Sequence, residues 1–396
     1  AAKYKHRLFV WFTYLTATIA ISYLLAMTHL PSDFFYLGIM LYNALLLFSY
    51  YKLKNHEKWV VFTKELPVYA QLNLIISTLL MLFFFENELF YSFNILLTAV
   101  LYISMVYVNK SRHYHVVFTL LLVYGMYQLI DHSVLSYFDY IGFALIGMLY
   151  VVFQKYAGEE HQLAKIFRIT SGIISFCAFI FISIQGLLLR SDEDSFVLLA
   201  AYLIIAVNYL ILANIARNSL FRYLAPIFLM TAVLQSYFVL LPGLDGKWLD
   251  FYLFAFASAI FAVLYIYNNF NYFSVIRKSS FVVSIGTMGF SIFFSIVIGE
   301  LTHTALLLLA FGIIALITYR HTANQTLQRT AAWANPVSWG LAILTFFDYL
   351  NMNIPFYSKN IEIIGHLAFG GLLLLGLSFF WKKRNRADFD VNTFLT

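Results

Sequence analysis

Stretches of about twenty residues with almost no charge recur along the whole chain, separated by short polar breaks. Fourteen are delimited, at approximately 8–29, 34–51, 67–85, 89–108, 115–130, 137–154, 170–189, 195–215, 224–241, 248–268, 280–299, 304–319, 336–351 and 361–381. As helices, each is long enough to cross roughly 30 Å of hydrocarbon. The runs are too long and too continuously apolar for the alternating strands of a barrel, and a helix satisfies its backbone groups within itself. The pattern therefore predicts an all-α polytopic integral membrane protein of about fourteen transmembrane helices. Residues 1–381 form its single transmembrane domain, and 382–396 a short polar cytoplasmic tail. No break exceeds about twenty residues, which leaves no room for a soluble catalytic domain or a nucleotide-binding insert.

The polar breaks have a period of their own. Arg7, Lys58, Arg112, Arg168, Arg222, Arg277, Arg329 and Arg384 follow one another at separations of 51 to 56 residues. Their flanks rhyme, as in KIFRITSG, SLFRYLAP, SVIRKSSF and TLQRTAAW. Such a period is the mark of a repeat and predicts seven tandem helical hairpins of about 54 residues. In each, one helix enters, turns, and a second returns to a basic corner. The competing reading is that two spans and two short loops occupy this length in any evenly paced membrane protein.

Composition supports the class. The chain has 396 residues, 62% hydrophobic and only 11% charged, with a mean hydropathy of +0.80. A soluble domain of this size does not present so few charges to water. The net charge of +6 does not indicate a nucleic-acid groove, because the basic residues sit in the breaks. Assigning alternate breaks to one side collects 22 of the 25 lysines and arginines there and leaves Arg190, Lys247 and Lys359 opposite. By the positive-inside rule this predicts a plasma-membrane protein with both termini in the cytoplasm. Cys177, the single cysteine, excludes an intrachain disulfide and a thiolate metal cluster. The opening AAKYKHR is followed by an apolar run without a signal-peptide cleavage pattern, so that run is expected to be a true span.

Ionisable residues within a membrane are costly and mark function, yet none falls near mid-span. The mid-span polar residues are Asn43, Asn73, Asn94 and Asn208, with Gln128, Gln185 and Gln235 towards the outer ends. They are candidates for a substrate path, and interhelical hydrogen bonding is the plainer alternative. At the outer ends Asp131, His132, Glu300, His303, Asp348, Glu362 and His366 form an acidic and imidazole set. Such groups serve as metal ligands or proton relays, although their spacing matches no specific metal motif. The corners Lys58, Arg112, Arg168, Arg222, Arg277 and Arg329 are expected to contact anionic lipid headgroups. Pro226 and Pro336 are expected at span starts, where proline is tolerated.

These features imply no metal, no cofactor and no nucleic-acid partner, and they point to the lipid bilayer and other membrane proteins as partners. They lead first to a membrane transport or translocation protein for a lipidic or amphipathic substrate. The alternatives are a non-catalytic scaffold, sensor or accessory subunit, and an enzyme built on the outer Asp, Glu and His residues.

Overall fold

The computed structural model describes residues 7–109, 111, 113–157, 162–190, 195–216, 218–263, 275–322 and 324–353, with 368, 370–372 and 375–376 beyond them. Arg112, Glu362, His366 and the tail at 382–396 lie outside these residues. Every regular element among the described residues is helical. Among them, eleven helices are long and apolar enough to cross a membrane. The remaining three expected spans differ for separate reasons. The tenth is described only as a 13-residue helix, Leu249–Phe261. The thirteenth, Gln325–Asn353, is 29 residues long but diluted by Gln325, Gln328, Arg329, Asn335 and Asp348. Most of the last falls outside the described residues.

The chain divides into two compact units, Ala1–Ile146 and Gly147–Thr396. The first holds α1 (Arg7–Met27), α2 (Ser32–Leu53), α3 (Val60–Phe83), α4 (Glu88–Asn109), α5 (His113–Asp131) and the start of α6 (Asp139–Ala157). The second holds α7 (Gln162–Ser183), which runs on into a π-helical segment at Ile184–Arg190, followed by α8 (Phe196–Ala216) and α9 (Ser219–Leu240). It continues with α10 (Leu249–Phe261), α11 (Arg277–Ile298), α12 (Leu301–His321) and α13 (Gln325–Asn353).

Local chemistry sets the helix boundaries. The Asn218 side chain accepts from Leu220 N–H at 3.0 Å and starts α9 before the corner arginine, so Arg222 lies within the helix. Gly299, at φ 79°, closes α11 in the left-handed conformation that glycine adopts without steric cost. α3 begins seven residues before the expected start at 67. Its first turns stay helical because the buried Glu65 carboxylate accepts from Arg7 Nε at 2.7 Å and Trp11 Nε1 at 2.9 Å, both on α1. Pro67, Pro226 and Pro336 consequently lie inside α3, α9 and α13. For the last two this corrects the expected placement at a helix start. Each proline removes one backbone bond from its helix, a loss tolerated where neighbouring helices shield the backbone.

Packing follows the basic corners more closely than the turns at the opposite ends. The most intimate pairs are α2–α3, α4–α5, α8–α9, α10–α11 and α12–α13, each joined through a basic corner. The expected hairpin pairs α1–α2, α3–α4, α7–α8, α9–α10 and α11–α12 touch less. Small residues make the close pairs possible: Gly125 of α5 packs on Ile95 and Leu96 of α4, and Gly312 of α12 packs on Trp339 and Ser338 of α13. Helices two apart also meet, as α1 with α3, α2 with α4, α9 with α11 and α10 with α12. Three residues after each of Arg168, Arg222, Arg277 and Arg329 stands a small buried residue: Ser171, Ala225, Ser280 or Ala332. The rhyming words therefore bury the same register position in four helices.

Candidate functional site

Acidic side chains occupy the first turn of α2, α4, α6 and α10, as Asp33, Glu88, Asp139 and Asp250. A helix N-terminus carries partial positive charge and free N–H groups, so a carboxylate is favourable there. Three of the four are buried, with Asp33 3%, Asp139 6% and Asp250 0% exposed. Burying a carboxylate costs several kcal/mol unless it is paired or well hydrogen-bonded.

Asp33 and Asp250 meet that cost by holding the next turn along the chain. Asp33 Oδ2 accepts from Asn87 N–H at 2.7 Å and Glu86 N–H at 3.3 Å, so α2 holds the α3–α4 turn. Asn94 Nδ2 adds a bond to the Asp33 carbonyl at 2.9 Å. Asp250 Oδ1 accepts from Phe251 N–H at 2.6 Å, and its Oδ2 accepts from His303 Nδ1 at 3.0 Å. The His303 ring lies against Trp248 and Phe251, with centroids 5.0 and 4.6 Å away. Beside it, Lys247 Nζ meets Glu300 at 2.9 Å. The hydrogen bond that Lys247 donates to Glu300, with the charges of Glu300 and Asp245, raises the Lys247 pKa above its ordinary value. Asp33 to Glu86, Lys247 to Glu300 and Asp250 to His303 all span 53 residues. In the first unit, His132 Nε2 reaches Glu88 at 2.7 Å and Asp131 at 4.0 Å.

The described members of the expected acidic and imidazole set fall in both units. Glu300 and His303 are neighbours, each with its own partner, while Asp131 and His132 belong to the other unit. Asp348 is exposed on α13. Among the described residues no three His, Cys, Asp or Glu side chains converge as metal ligands would. Asp33, Glu88, Lys247 and Asp250 are not among the residues that apolar patterning singles out. A signal for the acids exists all the same: carboxylates at 33, 88, 139, 194 and 250 recur at 51 to 56 residues, the mirror of the basic period.

Asn43, Asn73 and Asn208 serve helix contacts. Asn73 Nδ2 donates to Asn43 Oδ1 at 2.7 Å, and Asn43 Nδ2 reaches Ser77 Oγ at 3.4 Å, binding α2 to α3. Asn208 Nδ2 donates to Ser171 Oγ at 3.0 Å and Ser175 Oγ at 2.7 Å, binding α8 to α7. Gln128 is half-buried beside the Tyr124 hydroxyl, Gln235 is buried, and Gln185 lies in the π-helical segment with its Oε1 buried and unpartnered. Asn208→Ala is expected to cost about 1 kcal/mol of stability, measured by reversible denaturation in micelles. A loss indistinguishable from zero would refute the bonds as helix ties.

The basic corners begin the odd-numbered helices, where a helix dipole disfavours positive charge. Arg168 gains a compensating contact. Its guanidinium donates to Ile215 O at 3.3 Å, satisfying a carbonyl in the last turn of α8. Arg222 and Arg277 are half-buried, Arg329 is exposed, and Lys58 lies in a 3-10 turn before α3.

Open recesses lie between helices. One of about 330 Å³ is lined by α8, α9, α10 and α11, another of about 460 Å³ by α12 and α13, and a further one of about 520 Å³ by α1 and α3. Apolar side chains dominate all three, with Ser280, Thr302, and Thr18, Tyr69 and Asn73 as their polar members. No protein-family model, curated protein or solved structure matches the chain.

Proposed function

We propose that this protein handles lipidic or amphipathic molecules within the bilayer and moves them across it, through recesses between its helices. One observation carries the reading: the recesses are apolar, while the Asn43–Asn73 and Asn208 amides are spent on helix–helix bonds. An apolar recess opening between helices suits an acyl chain and offers nothing to a hydrated solute. In this reading all fourteen spans cross the plasma membrane as seven repeated hairpins. Both termini and the basic corners face the cytoplasm, and the buried carboxylates brace the opposite turns.

The test uses full-length protein in liposomes containing a trace of fluorescent phosphatidylglycerol, with a membrane-impermeant quencher added outside. Quenching of the inner-leaflet probe, beyond that in protein-free liposomes, is the expected result. A rate equal to the protein-free rate refutes translocation. The scaffold or accessory-subunit reading would then stand, since every buried amide with a described partner already has an architectural role.

A further inference from the structure

We infer that the recess between α8, α9, α10 and α11 is a binding site for one anionic phospholipid. Its acyl chain occupies the apolar space and its phosphate meets Arg222 and Arg277. This deepens the lipid-handling reading and rests on it, but binding in micelles and movement in liposomes are read separately.

The walls are built from small and branched side chains. α8 presents Leu203, Ala206, Val207 and Leu210 on one face, at i, i+3, i+4 and i+7. α9 contributes Ala225, Pro226 and Leu229, α10 contributes Ala259 and Ile260, and Val263 follows two residues after the end of α10. The alanines withdraw side-chain volume where four helices meet, and the space left, about 330 Å³, falls at the lower end of the roughly 300–1,000 Å³ of small-ligand sites.

Two features distinguish this recess from a chance packing gap. Ser280 is one of its lining residues, is 1% exposed, and has a hydroxyl with no hydrogen-bond partner. A buried hydroxyl left unsatisfied is costly, and a change of the Ser280 rotamer would bring it to an ester oxygen of a glycerolipid seated in the recess. The second feature is charge at one end. Arg222 stands three, four and seven residues before the lining Ala225, Pro226 and Leu229, on the same face of α9. Arg277 adjoins Ile276 and precedes Ser280 by three residues on α11. Helical side chains lean towards the N-terminus, which carries both guanidinium groups beyond the recess to the end where α9 and α11 begin. An acyl chain, an ester and a phosphate would therefore meet an apolar wall, a hydroxyl and two arginines in that order. Neither the α12–α13 recess nor the α1–α3 recess is lined by a residue with a buried, unpartnered hydroxyl.

The experiment compares phosphatidylglycerol and phosphatidylcholine of identical acyl chains, each with a photoreactive diazirine near the acyl terminus, binding to full-length protein in micelles. Cross-links are expected to map to α8–α11, with half-saturation by phosphatidylglycerol at about tenfold lower concentration. Arg222→Gln with Arg277→Gln should bring the two lipids to equal affinity while the cross-links stay in the recess. Ala206→Phe, which fills the recess, should reduce labelling by both lipids. If that variant does not fold, the wild-type cross-link map and the arginine pair still decide. Labelling spread evenly over all helices overturns the site, and an unchanged lipid preference in the double variant overturns the role of the arginines. Lipid binding without movement in liposomes would leave this site standing and remove only the translocation reading.

Discussion

Replacing Asp250 by alanine is expected to lower the stability of the full-length protein by about 3 kcal/mol. Asp250 is fully buried at the start of α10, where it accepts from the Phe251 N–H and from His303. Alanine removes the N-terminal acceptor of α10 and strands the His303 imidazole of α12 between Trp248 and Phe251. Asparagine keeps the shape and one acceptor oxygen, so Asp250→Asn should cost about half as much. Reversible denaturation in mixed micelles measures both. Combining Asp250→Ala with His303→Ala should then give a coupling energy of about 1–3 kcal/mol, because the two groups share one contact. The comparison is Lys247→Ala, which breaks the adjacent Lys247–Glu300 pair. That pair is solvent-facing, and its removal should leave stability unchanged. Equal behaviour of Asp250→Ala and Lys247→Ala would show that burial gives the carboxylate no bracing role.

The second large effect is expected at Gly312, where α12 and α13 approach most closely. A Cβ at this position would meet Trp339 Nε1, with Ser338 Oγ 2.8 Å away. The same surface carries two interhelical bonds, Asn335 Nδ2 to Gly312 O at 2.8 Å and Trp339 Nε1 to Leu309 O at 3.0 Å. Gly312→Val should therefore cost about 2–4 kcal/mol, from overpacking and from the bonds that separation of the helices would break. Gly286 on α11 has nothing within 4 Å of the Cβ position, and Gly286→Ala should raise stability by up to about 1 kcal/mol through helix propensity alone. Opposite signs at the two glycines are the expected outcome. If both substitutions are neutral, the α12–α13 contact is not the close packing described.

Much of this architecture is legible in the order of the amino acids. A run of twenty apolar residues has no stable alternative to a helix in hydrocarbon, so helical class follows from hydropathy alone. The corner period is legible as well, because charges are confined to the breaks between such runs. Helix ends are less so. Arg222 and Arg168 interrupt apolar runs and look like loop residues, yet they lie within α9 and α7, because Asn218 caps α9 and Ile215 O accepts from Arg168. Pro226 likewise reads as a helix start and is found eight residues into one.

The candidate sites divide in the same way. His303 and Glu300 stand out in the sequence because imidazole and carboxylate are rare in an apolar chain. Their partners Asp250 and Lys247 do not, since each is 53 residues away and looks like an ordinary turn residue. By itself the sequence determined what is local: apolar run length, the breaks in which basic charge is concentrated, and the spacing of the corners. Tertiary structure alone decided which helices pair most closely, that the buried amides bind helix to helix, and that Asp33 and Asp250 brace the next turn. It also decided that alanines on α8, α9 and α10 leave a recess beside two arginines. The physical reason is that hydropathy acts along one chain segment at a time. Satisfying a buried polar group, or leaving a void, depends on atoms that segments far apart in sequence bring within a few ångströms.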